Sequence, residues 1–384
     1  MNTTQPALAA ACIMSAAGAA VFLLLPMLIG TAVEDLGFSE QQAGLLASSY
    51  FTGYMLTGVS AFFWIRRISW PRIAGTAYIT LAAGLGLSGC LDHLYGLAIT
   101  LFIAGCAAGA LFGLGVTIIS DSDKPDRNFG FVLAAQQFLA AILLFTLPDL
   151  VIVPWGFQGL NFVLAAVSIL LGISAFWVPS DSASTVTVAA VSATVNSVSR
   201  QAVWVGLVAL SLYFAALSGV WAFVERLADL NGLSISQIGG ALAIAMIGGV
   251  LGGLAAVVAG GRWGRRAPLM GSTVLFLAVF LFYGRGFQAV GFTLATFLFV
   301  AAWNYVLAYQ MAIISELDRD GRYAVLMPAA QALGAIVGPA VAGIVIFGIG
   351  YGPLLWLASL SIGVAILPFV YLKEQDATAD LPTS

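Results

Sequence analysis

Twelve apolar stretches, each long enough to cross about 30 Å of hydrocarbon, follow one another along the chain. They lie near residues 7–31, 41–65, 71–90, 95–118, 129–150, 158–178, 202–226, 236–260, 268–286, 288–312, 324–347 and 351–372. A backbone in lipid has to satisfy its own hydrogen bonds, so each stretch is expected to be a helix. None has the ten-residue alternation of a membrane barrel strand. Composition agrees, since 61% of the 384 residues are hydrophobic and 8% are charged, where a water-soluble domain carries about a quarter charged residues. The expected fold class is an all-α membrane protein with twelve transmembrane helices.

Several function classes lose support at once. The first apolar stretch has no Lys or Arg ahead of it and is too long for the core of a signal peptide, so it reads as a retained helix. Cys12, Cys90 and Cys106 fall in or at the end of apolar stretches and make no disulfide framework. The single histidine, His93, sits in a short loop, which leaves a metal without a ligand set. No metal and no cofactor are expected. A net charge of −3 spread over short loops leaves no nucleic-acid footprint. No Ser/His/Asp set or paired-carboxylate site falls near mid-membrane, so the chain is not expected to be an enzyme.

Basic residues orient the helices. With a cytoplasmic amino terminus, the cytoplasmic segments hold Arg66, Arg67, Arg72, Lys124, Arg127, Arg200, Arg262, Arg265, Arg266, Arg319, Arg322 and Lys373. Only Arg226 and Arg285 fall on the other side. The positive-inside rule then puts both termini in the cytoplasm, in a cytoplasmic (inner) membrane.

The chain also repeats itself. "ISDSDKPDRNFGFVLAAQ" at 119–136 and "ISELDRDGRYAVLMPAAQ" at 314–331 lie 195 residues apart and share seven residues without a gap. The same offset aligns Gly37 with Gly232, Ser39 with Ser234, Gln42 with Gln237, Gly44 with Gly239, Gly53 with Gly248, Gly58 with Gly253 and Arg67 with Arg262. Six helices are followed by six more in the same orientation, a parallel repeat about an axis along the membrane normal. The expected organisation is a six-helix bundle over 1–178, a Ser/Thr/Ala-rich cytoplasmic linker over 179–200, and a second six-helix bundle over 201–384.

Two six-helix halves with the loop "GGRWGRRAPL" resemble the major facilitator superfamily of secondary transporters. There a glycine-rich helix runs into a loop of the form Asp/Gly-Arg-x-Gly-Arg-Arg, and Gly261, Arg262, Trp263, Gly264, Arg265 and Arg266 match it. The first-half copy, "WIRRISWPRI", keeps Arg67 but lacks the acidic residue and the second glycine. The resemblance implies transport by alternating access. It names no subfamily: the DGxD motif of aromatic-acid symporters is absent from the first helix, and the glycine–proline motif of drug antiporters has its nearest likeness, around Pro339, in the eleventh helix instead of the fifth.

A solute site needs polar groups in mid-span, and there are few. Tyr50, Tyr54 and Thr57 are spaced to share one face of the second helix. The tenth helix holds Trp303, Asn304 and Tyr305 near its centre, with Tyr309 and Gln310 about a turn further on. At the repeat offset their partners are Ala108, Gly109, Ala110, Leu114 and Gly115. That asymmetry favours solute contact over ordinary packing. Gln136 and Gln331, being duplicated, read as structural amides.

Ser211, Phe214, Ser218, Trp221 and Glu225 form one stripe of the seventh helix, with Gly30 as the repeat counterpart of Glu225. Glu225 is the candidate proton carrier, because an ionisable group at membrane depth is costly unless functional. The alternative is that Glu225 and Arg226 are solvated at the outer interface. Arg67, Asp121, Arg127, Arg262, Arg265, Arg266, Glu316 and Arg322 are candidates for a cytoplasmic gate.

The expected function is a secondary transporter for a small organic solute, working by symport or antiport with protons as the candidate coupling ion. It is expected to be a lipid-embedded monomer with no nucleic-acid partner. A non-transporting sensor on the same fold is the rival reading.

Overall fold

The computed structural model describes residues 5–122, 125–179, 197–259, 265–317 and 326–371. The first bundle comprises α1 (Gln5–Leu23), α2 (Leu25–Glu34), α3 (Glu40–Trp64), α4 (Trp70–Ser88), α5 (Leu94–Ser120), α6 (Pro125–Leu147) and α7 (Val153–Leu171). The second comprises α8 (Ser197–Leu230), α9 (Ile235–Ala259), α10 (Arg266–Tyr283), α11 (Ala289–Leu317), α12 (Met327–Ile349) and α13 (Tyr351–Tyr371). Helices α1 and α2 together make the first apolar stretch, so the twelve expected spans are all helical. The expected linker lies mostly outside the described residues.

The first span is broken for a chemical reason. Pro26 has no N–H to give the carbonyl of Phe22 four residues back. Helix α1 ends at Leu23, and the Met27 amide donates three residues back to the Leu24 carbonyl at 3.0 Å. Between α6 and α7 the path passes through a π-helical turn, Pro148–Ile152, and α7 then kinks at Gly156, φ 53°. That left-handed backbone favours glycine. Asp35 completes the turn: its carboxylate accepts the Phe157 N–H at 2.7 Å.

The duplicated residues now have jobs. Ser39 and Gln42 form a reciprocal cap on α3, with Ser39 N–H donating to Gln42 Oε1 at 3.0 Å and Gln42 N–H to Ser39 Oγ at 3.3 Å. Ser234 and Gln237 do the same for α9 at the same two distances. Each cap exposes few donors and fixes where its helix starts. The turns that lead in pivot on Gly37 and Gly232, both at positive φ.

Two other duplicated pairs set helix packing. Gly53 and Gly248 sit inside their own bundles, against the Phe102 carbonyl of α5 and the Phe297 carbonyl of α11. Gly44 and Gly239 instead sit between bundles. A Cβ on Gly44 would lie 2.4 Å from the Pro339 carbonyl of α12, and one on Gly239 would lie 2.5 Å from the Leu144 carbonyl of α6. The bundles therefore meet along α3 with α12, α6 with α9, and α2 with α8.

Candidate functional site at the bundle interface

The loops near residues 66–69 and 121–124 mark the basic end of the bundle, and those near 35–39 and 231–234 mark its far end. Among the described residues, hydrogen bonds and close approaches between the two bundles cluster in the far half. Ser48 Oγ donates to the Ile336 carbonyl at 2.7 Å. Arg226 of α8 donates across to Glu34 Oε1 at 2.7 Å and, within its own helix, to Asp229 at 3.0 Å. Ser236 donates to Asp149. A Cβ on Gly343 would lie 2.4 Å from the Glu40 carbonyl.

At the break in the first span, the carbonyl of Phe22 that Pro26 cannot serve accepts the indole N–H of Trp221 at 3.2 Å. The bond runs from α8 in one bundle to α1 in the other. The Phe22 ring meets Trp303 of α11 edge-on at 5.9 Å and Phe51 of α3 at 5.4 Å. Trp303 also takes Phe214 of α8 and Phe299 edge-on, at 5.5 and 5.8 Å. Trp221 and Trp303, both singled out in the sequence, thus meet around a phenylalanine that was not.

Glu225 lies one turn beyond Trp221 on α8 and is 1% exposed. Its carboxyl packs on the Cα of Gly30 in α2, where any Cβ would overlap it, and its Oε2 has no hydrogen-bond partner among the described residues. It is therefore buried between the bundles and not solvated at an interface. Its neighbour Arg226 turns aside to the Glu34 and Asp229 pair. Glu34 lies beyond the first apolar stretch. Burial raises its pKa most, Asp229 adds to this, and Arg226 opposes it.

The other candidates fall into separate groups. Tyr50 is buried, edge-on to Phe51 at 5.4 Å, and its hydroxyl has no partner among the described residues. Tyr54 is half-buried and tilted against Phe112 of α5 at 5.8 Å. Tyr305 and Tyr309 pair edge-on at 5.2 Å. Gln310 is fully buried on the stripe that carries Phe299 and Trp303, with neither amide atom partnered among the described residues. Asn304 donates to the Val300 carbonyl at 3.0 Å and faces Gly249 of α9. Gln137 of α6 faces the same glycine, whereas the repeat singles out its neighbour Gln136. Gln331 Nε2 donates to the Met311 sulfur at 3.7 Å.

At the basic end, Asp121 takes a two-pronged bond from Arg66 at 2.6 and 2.8 Å, and the Arg66 guanidinium lies 5.7 Å over the Trp70 ring. That ion pair is internal to the first bundle. Arg67 beside it is exposed, Arg265 precedes α10 and Arg266 opens it. Arg262 and Arg322 lie outside the described residues, as do the side chains of Arg127 and Glu316.

Two signals for the missed residues were present in the sequence. A proline four residues after Phe22 frees its carbonyl in mid-membrane, where a free carbonyl needs a donor. Gln137 is a mid-span polar residue whose counterpart at the repeat offset is Ala332, the same asymmetry that singles out Asn304, and the structure puts it on the α6 stripe of Leu144 and Pro148 that touches Gly239.

Comparison with known proteins places this arrangement. No curated protein matches the chain in sequence. Two structures of the nucleoside transporter NupG, one of them a point mutant, superpose at TM-scores of 0.72 and 0.73 with 14% and 16% identity. They cover 98% and 94% of this chain and 100% and 98% of their own. A bacterial homolog of the human lysosomal transporter Spinster, inward-facing and unoccupied, superposes at 0.68 with 13% identity over 97% of this chain and 95% of its own. At these identities the likeness is one of fold. The Major Facilitator Superfamily model matches residues 9–227, more than half of the chain, and the protein belongs to that family of multi-pass membrane transporters.

Proposed function

We propose that this protein carries a small, uncharged organic solute across a cytoplasmic membrane by alternating access, coupled to protons through Glu225. The observation that carries the reading is the clustering, among the described residues, of cross-bundle links in the far half of the interface. Gly58 and Gly253, toward the basic end, have no heavy atom within 4 Å of where a Cβ would stand among the described residues. With the basic end cytoplasmic, as the positive-inside rule favours, this arrangement is an inward-facing one. Both termini are then cytoplasmic, and 1–178 and 201–384 are the rocking units.

Sparse charge in mid-span supports an uncharged solute, because a buried ion without a counter-charge is costly. Nucleosides, which NupG carries, belong on the solute panel for that reason alongside sugars, small amides and aromatics.

Glu225 is suited to proton coupling by its position. Its carboxyl can close against Gly30 cheaply only as the neutral acid, since burying the ion without a partner is far more costly. When the far end opens, the group meets water and can release its proton. Coupling chemistry and bundle motion then share one contact.

The test is solute flux into proteoliposomes with and without an imposed pH gradient. Wild type should accumulate one class of the panel when the gradient is present. Glu225→Gln should still exchange that solute but no longer concentrate it. Full accumulation by Glu225→Gln would remove the proton role and leave the transporter reading in place.

A further inference from the structure

We infer that Gln137 and Asn304 form a two-amide clamp for a solute that carries an N–H donor beside a carbonyl acceptor, as a cyclic amide or imide does. The inference rests on the transporter reading above and names the chemistry of its solute.

The geometry comes from Gly249. A Cβ at that position would lie 3.1 Å from Gln137 Nε2 and 3.1 Å from Asn304 Nδ2. The two amides, one from each bundle, therefore converge on a single point of α9. All three residues lie near the middle of their helices, Gln137 in Pro125–Leu147, Gly249 in Ile235–Ala259 and Asn304 in Ala289–Leu317. Mid-depth between the bundles is where alternating access requires a solute to sit. Any side chain at Gly249 would press on both amides, so the glycine is what lets them come together there.

The hydrogen-bond inventory gives the class. Asn304 uses one N–H on the Val300 carbonyl at 3.0 Å, which leaves its second N–H available. Gln137 Oε1 is buried with no partner among the described residues. A buried polar atom left unpaired is costly, so such a group in a native protein calls for a partner. Both amide nitrogens that face Gly249 are donors and Gln137 Oε1 is the unpaired acceptor beside them, so the pair presents N–H donors next to an acceptor, which complements the edge of an amide ring. No charged residue lies in α9, and none lies within two turns of Gln137 or Asn304. An ionic solute would meet no counter-charge there. A clamp with one jaw in each bundle is also loosened when the bundles rock, which would release what it holds.

The experiment measures equilibrium binding of uracil and of 1,3-dimethyluracil to the purified full-length protein, wild type and the variants Gln137→Leu and Asn304→Leu. Uracil should bind wild type, and the dimethyl compound, which keeps the ring and carbonyls but lacks both donors, should bind about tenfold more weakly or worse. Each variant should lose about the same factor for uracil while its melting curve stays cooperative. The wild-type comparison of the two compounds stands even if a variant fails to fold. Equal binding of the two compounds, no binding of uracil, or unchanged binding by both variants would each overturn the clamp. Flux of another panel solute without uracil binding would leave the transporter reading intact and remove only the clamp. Uracil binding through these amides with no flux of any solute would do the reverse.

Discussion

At the residue scale, one missing hydrogen explains the most unusual contact in the molecule. Pro26 leaves the Phe22 carbonyl free in a setting without water, and Trp221 answers it from the opposite bundle. Trp221→Phe keeps the aromatic bulk and removes the donor. Leaving that carbonyl unpaired should cost about 1–3 kcal/mol. The cost falls on the far-closed state alone, so a cysteine in the far half should become more reactive to a soluble thiol reagent. Unchanged labelling would mean that the bond contributes nothing to closure. Replacing Pro26 with Ala should partly restore the balance, since the returned amide can serve Phe22 within its own span.

At the element scale, the repeat is legible as mechanics. Ser39→Ala and Ser234→Ala each remove a helix cap and should each lower stability by about 1 kcal/mol, with the two effects adding because the caps are distant. Thermal unfolding of the single and double variants checks this. Gly44→Ala and Gly53→Ala test a finer distinction. Both introduce a methyl group against a backbone carbonyl, at 2.4 and 2.1 Å before relaxation. Gly53 is inside one bundle, so its variant should lose thermal stability by about 1–3 kcal/mol. Gly44 is between bundles, so its variant can escape by opening the far end and should lose less stability and gain far-end accessibility. Equal stability losses with no change in accessibility would contradict the assignment of Gly44 to a moving interface.

Much of this level was present in the sequence, and the part that was not has a physical cause. Apolar length sets spans, and a fixed offset sets the pairing of halves, so helices and repeat followed directly. Periodicity places a residue on a face of its helix but does not say which neighbour that face meets. Thus Trp221, Trp303 and Glu225 were identifiable, and their convergence with Phe22 and Gly30 was not. Gln137 was passed over for Gln136 because duplication highlights packing residues, while a solute site is built from what the two halves do not share. Asp121 was a gate candidate by charge, and in the structure its partner is Arg66 within the same bundle, a pairing that sequence spacing alone does not specify.

At the scale of the whole molecule, the account makes the far end a proton-sensitive closure. Glu225 is seated against Gly30 only when the bundles meet there, and the neutral acid is cheaper to bury than the ion. Lower pH should therefore favour the far-closed arrangement, and Glu225→Gln should shift the balance toward it equally at every pH while still letting both ends open in turn. Gly30→Ala should hold it open, because the methyl group takes the space of the carboxyl. The most direct measurement uses paired spin labels, one pair bridging the far end at the exposed Asp92 and Ile349 and the other bridging the basic end at Arg67 and Arg266. It follows both distances from about pH 8 to about pH 5, a range in which a carboxyl that meets water on one side of the cycle can change its protonation. The account predicts that the far-end distance shortens as the basic-end distance lengthens, and that Glu225→Gln abolishes the response. Two distances that stay fixed, or that change in the same sense, would contradict alternating access coupled through Glu225.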